Sequence, residues 1–211
     1  MRSSFFKFSI FDIVEIAVMC ALAVVLDTFV KIPIGATGGS INVALLPLFI
    51  VAFRHGWFKG FIASGIVFAL ITCLLDGYGF QFFFFEYFLA FGSVAISGLF
   101  GPTIFKNFNK KSALGKVLSI AFIVLGVAIT FVIRTICGTI DSMIFYEYAF
   151  GPAFVYNVSY IGPSCLILAI VLPLLLPVFK SINQVYPTVF LKDVLSEETS
   201  ETEDSNNTNN E

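Results

Sequence analysis

Apolar residues run along this chain in long blocks, broken at a few polar or glycine- and proline-rich points. Six blocks read as membrane-spanning helices, and all but the second come near the roughly 20 mostly apolar residues that a span needs. They run roughly over Ile10–Val30, Ile41–Phe53, Trp57–Leu75, Phe82–Phe100, Leu114–Ile136 and Tyr156–Phe179. The breaks between them carry turn chemistry: Pro33 with Gly35, Gly38 and Gly39, then Asp76-Gly77-Tyr78-Gly79, then Gly101-Pro102. The second block has only thirteen residues, about 20 Å of helix against a hydrocarbon core of about 30 Å. It must be sheltered by neighbours or extended by the glycine-rich loop before it. That loop is expected to act as a lid hinged at Gly35, Gly38 and Gly39.

Composition supports this reading. Of 211 residues, 58% are hydrophobic, 12% are charged and 27 are Phe, whereas soluble domains carry about 25% charged residues. The expected fold class is an all-α integral membrane protein of six transmembrane helices, over residues 1–190. An acidic, disordered tail occupies 191–211. From Asp193 on it has seven acids and no bases. The first apolar block lacks a small-residue cleavage site, so it reads as a retained helix and not as a signal peptide. With both termini placed in the cytoplasm, the inside holds ten of the twelve bases, leaving only Lys31 and Arg134 outside.

Motif chemistry excludes more than it proposes. Cys20, Cys73, Cys137 and Cys165 form no CxxC pair and read as small core residues, so no metal site or disulfide is expected. There is no phosphate-binding GxxxxGK[ST] loop, HExxH or GxSxG, so an enzyme, a cofactor and a nucleic-acid partner are not expected. The single histidine, His55, sits beside Arg54 in a tight turn, with no catalytic role in view.

The charge that stands out is Glu86, inside Phe82-Phe83-Phe84-Phe85-Glu86-Tyr87-Phe88. A carboxylate at bilayer depth costs about 2.5–3.5 kcal/mol on insertion scales, so it normally faces the protein interior and has a partner. An organic cation held by ring faces and neutralised by the acid is one such partner; Arg134 is the other. Arg134 could also bind a substrate anion, pair with Asp141 or snorkel to the interface. Asn157 could contact a ligand or cap the last helix. Tyr78 and Tyr87 could line a pocket or belong to an interfacial aromatic belt. Asp27 and Lys31, one turn apart, read as a local surface pair. Ala17, Ala21 and Ala23 form a small-residue strip on the first helix, for internal packing or for docking another membrane subunit.

Taken in order, several of these stretches resemble the substrate-binding S components of energy-coupling factor (ECF) vitamin transporters, and among them the thiamine-specific members. They are Glu15-Ile16-Ala17 with Ala21, Gly38-Gly39-Ser40-Ile41 through Leu46-Pro47-Leu48, Ala52-Phe53-Arg54-His55-Gly56, Glu86-Tyr87, Tyr148-Ala149 and Tyr156-Asn157. The resemblance covers about residues 10–180. It implies an S-component-like bundle in a bacterial plasma membrane that captures a vitamin from outside. It also implies a transmembrane coupling subunit and two ATPase subunits as partners, with transport by reorientation of the S component in the bilayer. Carried over residue by residue, Glu86 faces the ring cation, Tyr87 and Asn157 line the same pocket, and Tyr78 contributes from the third loop. Cys137, Asp141 and Phe145 depart from the His, Gly and Trp usual at the matching places, which puts the pyrimidine-facing half of the site in question.

Overall fold

The structure, a computed structural model, describes residues 6–34, 39–109 and 112–188. The acidic tail, Gly35 and Gly38, and the bases Arg2, Lys110, Lys111 and Lys192 lie outside the described residues. Those described form seven helices, α1 (Ile10–Phe29), α2 (Leu45–His55), α3 (Trp57–Asp76), α4 (Phe80–Asn109), α5 (Ala113–Phe145), α6 (Phe150–Leu174) and α7 (Leu176–Val185). Four of these, α3 to α6, are long and apolar enough to cross a membrane. The bundle is not wholly helical. After α1 the chain forms an antiparallel hairpin of β1 (Lys31–Pro33) and β2 (Ser40–Asn42), with Ile32 opposite Ile41.

Helix α1 starts with a capping box. The Ser9 hydroxyl accepts from the first turn, and the Asp12 carboxylate accepts from Ser9 N at 3.2 Å. Helix α2 has eleven residues, about 16 Å of helix. All but Leu46 are buried, so neighbouring helices shelter it on nearly every side. Pro173 and Pro177 end the helical run differently from the sequence pattern. The expected single block to Phe179 divides at Leu175 into α6 and α7, and α6 starts six residues earlier than expected, at Phe150.

Two other helices overrun their expected ends. Gly101-Pro102 does not stop α4, because the chain passes through a tight 3₁₀ turn at Gly98–Phe100 and resumes, with Pro102 in the first turn where its missing N–H is tolerated. Gly101 also lies against the Phe53 carbonyl of α2, too close for any side chain. Helix α5 runs nine residues beyond Ile136 and ends only where Glu147 adopts a left-handed φ of 54°. Arg134 through Asp141, expected near the outer end, therefore lie on the last turns of a continuous helix. That helix packs along α6 and carries their side chains inward.

Both α3 and α4 widen locally into π-helical turns, at Ile62–Phe68 and Phe83–Leu89. Such turns are rare and concentrate at functional sites. The second one carries Glu86 and Tyr87.

A second polar cluster, not anticipated from the sequence, lies at the opposite end of α1. Lys59 Nζ donates to Asp12 Oδ2 at 2.7 Å, with both groups buried. Arg54 pairs with Glu15, and fully buried His55 stands between the two acids, 3.5 Å from Asp12 and 3.2 Å from Glu15. Arg54 also ties down the end of α7, donating to Asn183 Oδ1 in its last turn at 2.9 Å and to the carbonyl of Tyr186 just after it at 3.2 Å. Removing one partner from such a buried set leaves an uncompensated charge, at a cost of about 3–5 kcal/mol.

Candidate functional site

The hairpin, the ends of α1 and α3, the π turn of α4, and the facing stretches of α5 and α6 enclose one polar cavity. Glu86, Tyr87, Asn157, Tyr78, Arg134 and Asp141 all line it. Phe145 does not; it packs edge-on against the lining ring of Phe82, with centroids 4.8 Å apart, and supports that wall from behind. Ala17 and Ala21 are remote from the cavity and exposed on the outer face of α1.

The side chains are held by a network across the bundle. Tyr87 donates its phenol to Asp76 Oδ2 at 2.9 Å, fixing the π turn of α4 to the end of α3. Asn157 is not a cap, since α6 starts at Phe150; it is a buried interior residue. Its amide donates to Ser142 Oγ at 3.1 Å and to the Ala153 carbonyl at 2.9 Å, and its Oδ1 accepts from Tyr160 at 2.7 Å. The hairpin is tied over the cavity through Gly39 N, which donates to the Tyr156 hydroxyl at 2.8 Å. Asn42 holds its base, donating from Nδ2 to Asp27 Oδ1 at 2.9 Å and from its backbone to Ser164 Oγ at 3.2 Å. Asp27 is therefore a cavity residue and makes no ion pair with Lys31.

Gly138 allows α5 to meet the site closely. A Cβ there would stand 3.0 Å from Asn157 Cγ and 3.2 Å from Glu86 Oε2, and inside contact with Asn157 Oδ1. The helix backbone thus forms a floor beneath both polar groups.

Charge is unevenly distributed in the cavity. Four carboxylates line it, those of Asp27, Asp76, Glu86 and Asp141, and one guanidinium, that of Arg134. Among the described residues the ion pairs all belong to the cluster at the other end of α1, so the expected alternative of a Glu86–Arg134 pair is not formed. Arg134 lies instead over the Phe91 ring, 5.0 Å from its centroid. The wall beside these acids is aromatic, with Phe82 stacked on Tyr146 at 5.5 Å and Tyr146 on Tyr148 at 5.9 Å. An excess of acid beside stacked ring faces suits a flat organic cation.

The match to known proteins agrees with this chemistry. The model of the thiamine transporter protein family (Thia_YuaJ) matches residues 13–184. This chain belongs to that family. It is 31% identical over 178 residues to the thiamine transporter ThiT of Bacillus subtilis, covering 77% of this chain and 88% of that protein. A solved structure of ThiT from Listeria monocytogenes superposes with a TM-score of 0.62 at 25% identity, over 85% of this chain and 97% of that one. The family makes the protein a transporter and not an enzyme. With its long apolar helices, it is a multi-pass protein of the bacterial plasma membrane.

Sequence reasoning found the cavity's most visible acid and missed several of its supports. Asp27 read as half of a local surface pair and Asp76 as part of a turn, and Tyr160 was given no role in the site. The signal for Gly138 was its place four residues after Arg134 and three before Asp141, on the polar face of an otherwise apolar helix.

Proposed function

We propose that this protein is the substrate-binding subunit of an ECF-type importer that captures thiamine, the vitamin named for its relatives. The observation that carries the reading is the cavity with four carboxylates to one guanidinium beside stacked aromatic rings. Glu86 neutralises the thiazolium ring, with Tyr87, Tyr78 and Asn157 around it. Arg134 and Asp141 set the charge of the neighbouring half, and Phe145 backs the aromatic wall.

In this reading the chain crosses the membrane six times with both termini in the cytoplasm. Ten bases against two support that orientation. The three acids of α1 do not stand against its crossing. Asp12 and Glu15 are matched by Lys59, Arg54 and His55, and Asp27 is hydrogen-bonded. The cavity then opens outward, and the Asp12–Lys59 cluster lies at the cytoplasmic end.

The exposed face around Ala17 and Ala21 lets another membrane helix approach closely, which suits docking of a transmembrane coupling subunit. Two ATPase subunits bound to that subunit power reorientation of the loaded protein. Calorimetric titration of thiamine into the purified protein, beside Glu86→Gln, tests the binding role. Stoichiometric binding weakened by the substitution supports it, and wild-type affinity in the variant contradicts it.

A further inference from the structure

Among the described cavity carboxylates, one oxygen is both fully buried and without a hydrogen-bond partner. Asp27 accepts from Asn42 and Asp76 accepts from Tyr87, but Asp141, only 4% exposed, has an Oδ1 with no hydrogen-bond partner. Arg134 does not neutralise it. The two make no ion pair, and the guanidinium lies over Phe91 with its Nε also unpartnered. Leaving a buried acceptor unmatched is unfavourable, and at a binding cavity a ligand donor is one group that can complete it.

The position of this oxygen defines what could complete it. Glu86 Oε2 lies beside Gly138. Asp141 is three residues further along α5, a rise of about 4.5 Å. The two carboxylates therefore address adjacent parts of one ligand. We propose that Asp141 is a specificity-determining residue. It accepts a hydrogen bond from an exocyclic amine on the second ring of a ligand whose cationic ring is held at Glu86. The ligand class is an organic cation linked to an amino-substituted aromatic ring. This rests on the thiamine-binding reading above and adds to it the end of the ligand that Asp141 selects.

The test compares thiamine with oxythiamine, in which a ring carbonyl replaces the exocyclic amine. Calorimetry on the purified wild-type protein should show thiamine preferred by about 10- to 100-fold, since the carbonyl leaves the Asp141 oxygen unmatched. Asp141→Asn, whose amide can donate to the carbonyl, should narrow or invert that preference. Glu86→Gln should weaken both compounds and keep their ratio. Equal affinities in the wild type, or an unchanged ratio in Asp141→Asn, would overturn the assignment while leaving thiamine binding intact. Absence of binding by either compound to the wild type would overturn the functional reading, and this inference with it.

Discussion

Replacing Gly138 with Ala adds a single methyl group at the floor of the site. That methyl would stand 3.0 Å from Asn157 Cγ and 3.2 Å from Glu86 Oε2, closer than the roughly 3.5–4.0 Å of favourable contact between carbon atoms. Asn157 cannot move aside freely. It is tied to Ser142, Ala153 and Tyr160 by hydrogen bonds of 3.1, 2.9 and 2.7 Å. The strain therefore falls on the Asn157 network, on Glu86, or on the α5–α6 packing. Overpacking of this kind costs about 1–3 kcal/mol, which corresponds to a loss of thiamine affinity of about 5- to 150-fold if the site absorbs it. Calorimetry measures the loss, and thermal unfolding of the unliganded protein measures any share taken by the fold. Shortening Asn157 to Ala supplies the control: on that background Gly138→Ala should cause a smaller further loss, because its two nearest contacts are gone and only Glu86 Oε2 at 3.2 Å remains. Undiminished thiamine binding in Gly138→Ala, with unchanged stability, would refute the view that helix α5 must be bare at this point.

Two further sets of substitutions probe other parts of the molecule. Lys59→Met removes the cation from the buried pair with Asp12 and should destabilise the protein by about 3–5 kcal/mol; melting in detergent should show a large fall in Tm that adding Asp12→Asn largely restores, and an unchanged Tm in the single variant would remove the cluster's structural role. Leu at both Ala17 and Ala21 should block co-purification with the coupling subunit while leaving thiamine affinity unaltered, and a fully assembled, active complex in that variant would rule out this face as the docking site.

Much of the architecture was legible in the apolar blocks, because burial in a bilayer or in a bundle demands long runs of the same kind of residue. The ends of those blocks were less legible. Gly101-Pro102 read as a stop, yet the packing of Gly101 on Phe53 and the 3₁₀ turn before it carry the chain onward. Nothing in the sequence marked Tyr146 as the end of α5, so Gly138 and Asp141 were placed beyond the helix that ended at Ile136, when they share one helical face with Arg134. Glu86 was conspicuous because it interrupts phenylalanines. Asp27 was not, because Lys31 four residues away offered a sufficient local partner, whereas its actual donor, Asn42, approaches through the hairpin. The Asp12–Lys59 pair joins residues 47 apart in sequence, and only the packing of α1 against α3 brings them together.

The central claim is that the acidic, aromatic cavity binds thiamine through Glu86. Its most direct test is titration of thiamine into the purified wild-type and Glu86→Gln proteins under identical conditions. Saturable one-to-one binding to the wild type is predicted, with affinity reduced by at least about tenfold in the variant, since a hydrogen bond or contact to a charged group contributes about 1.5–3 kcal/mol. Equal affinity in the two proteins would contradict the role of Glu86, and no heat of binding or thermal stabilisation of the wild type would contradict the account as a whole.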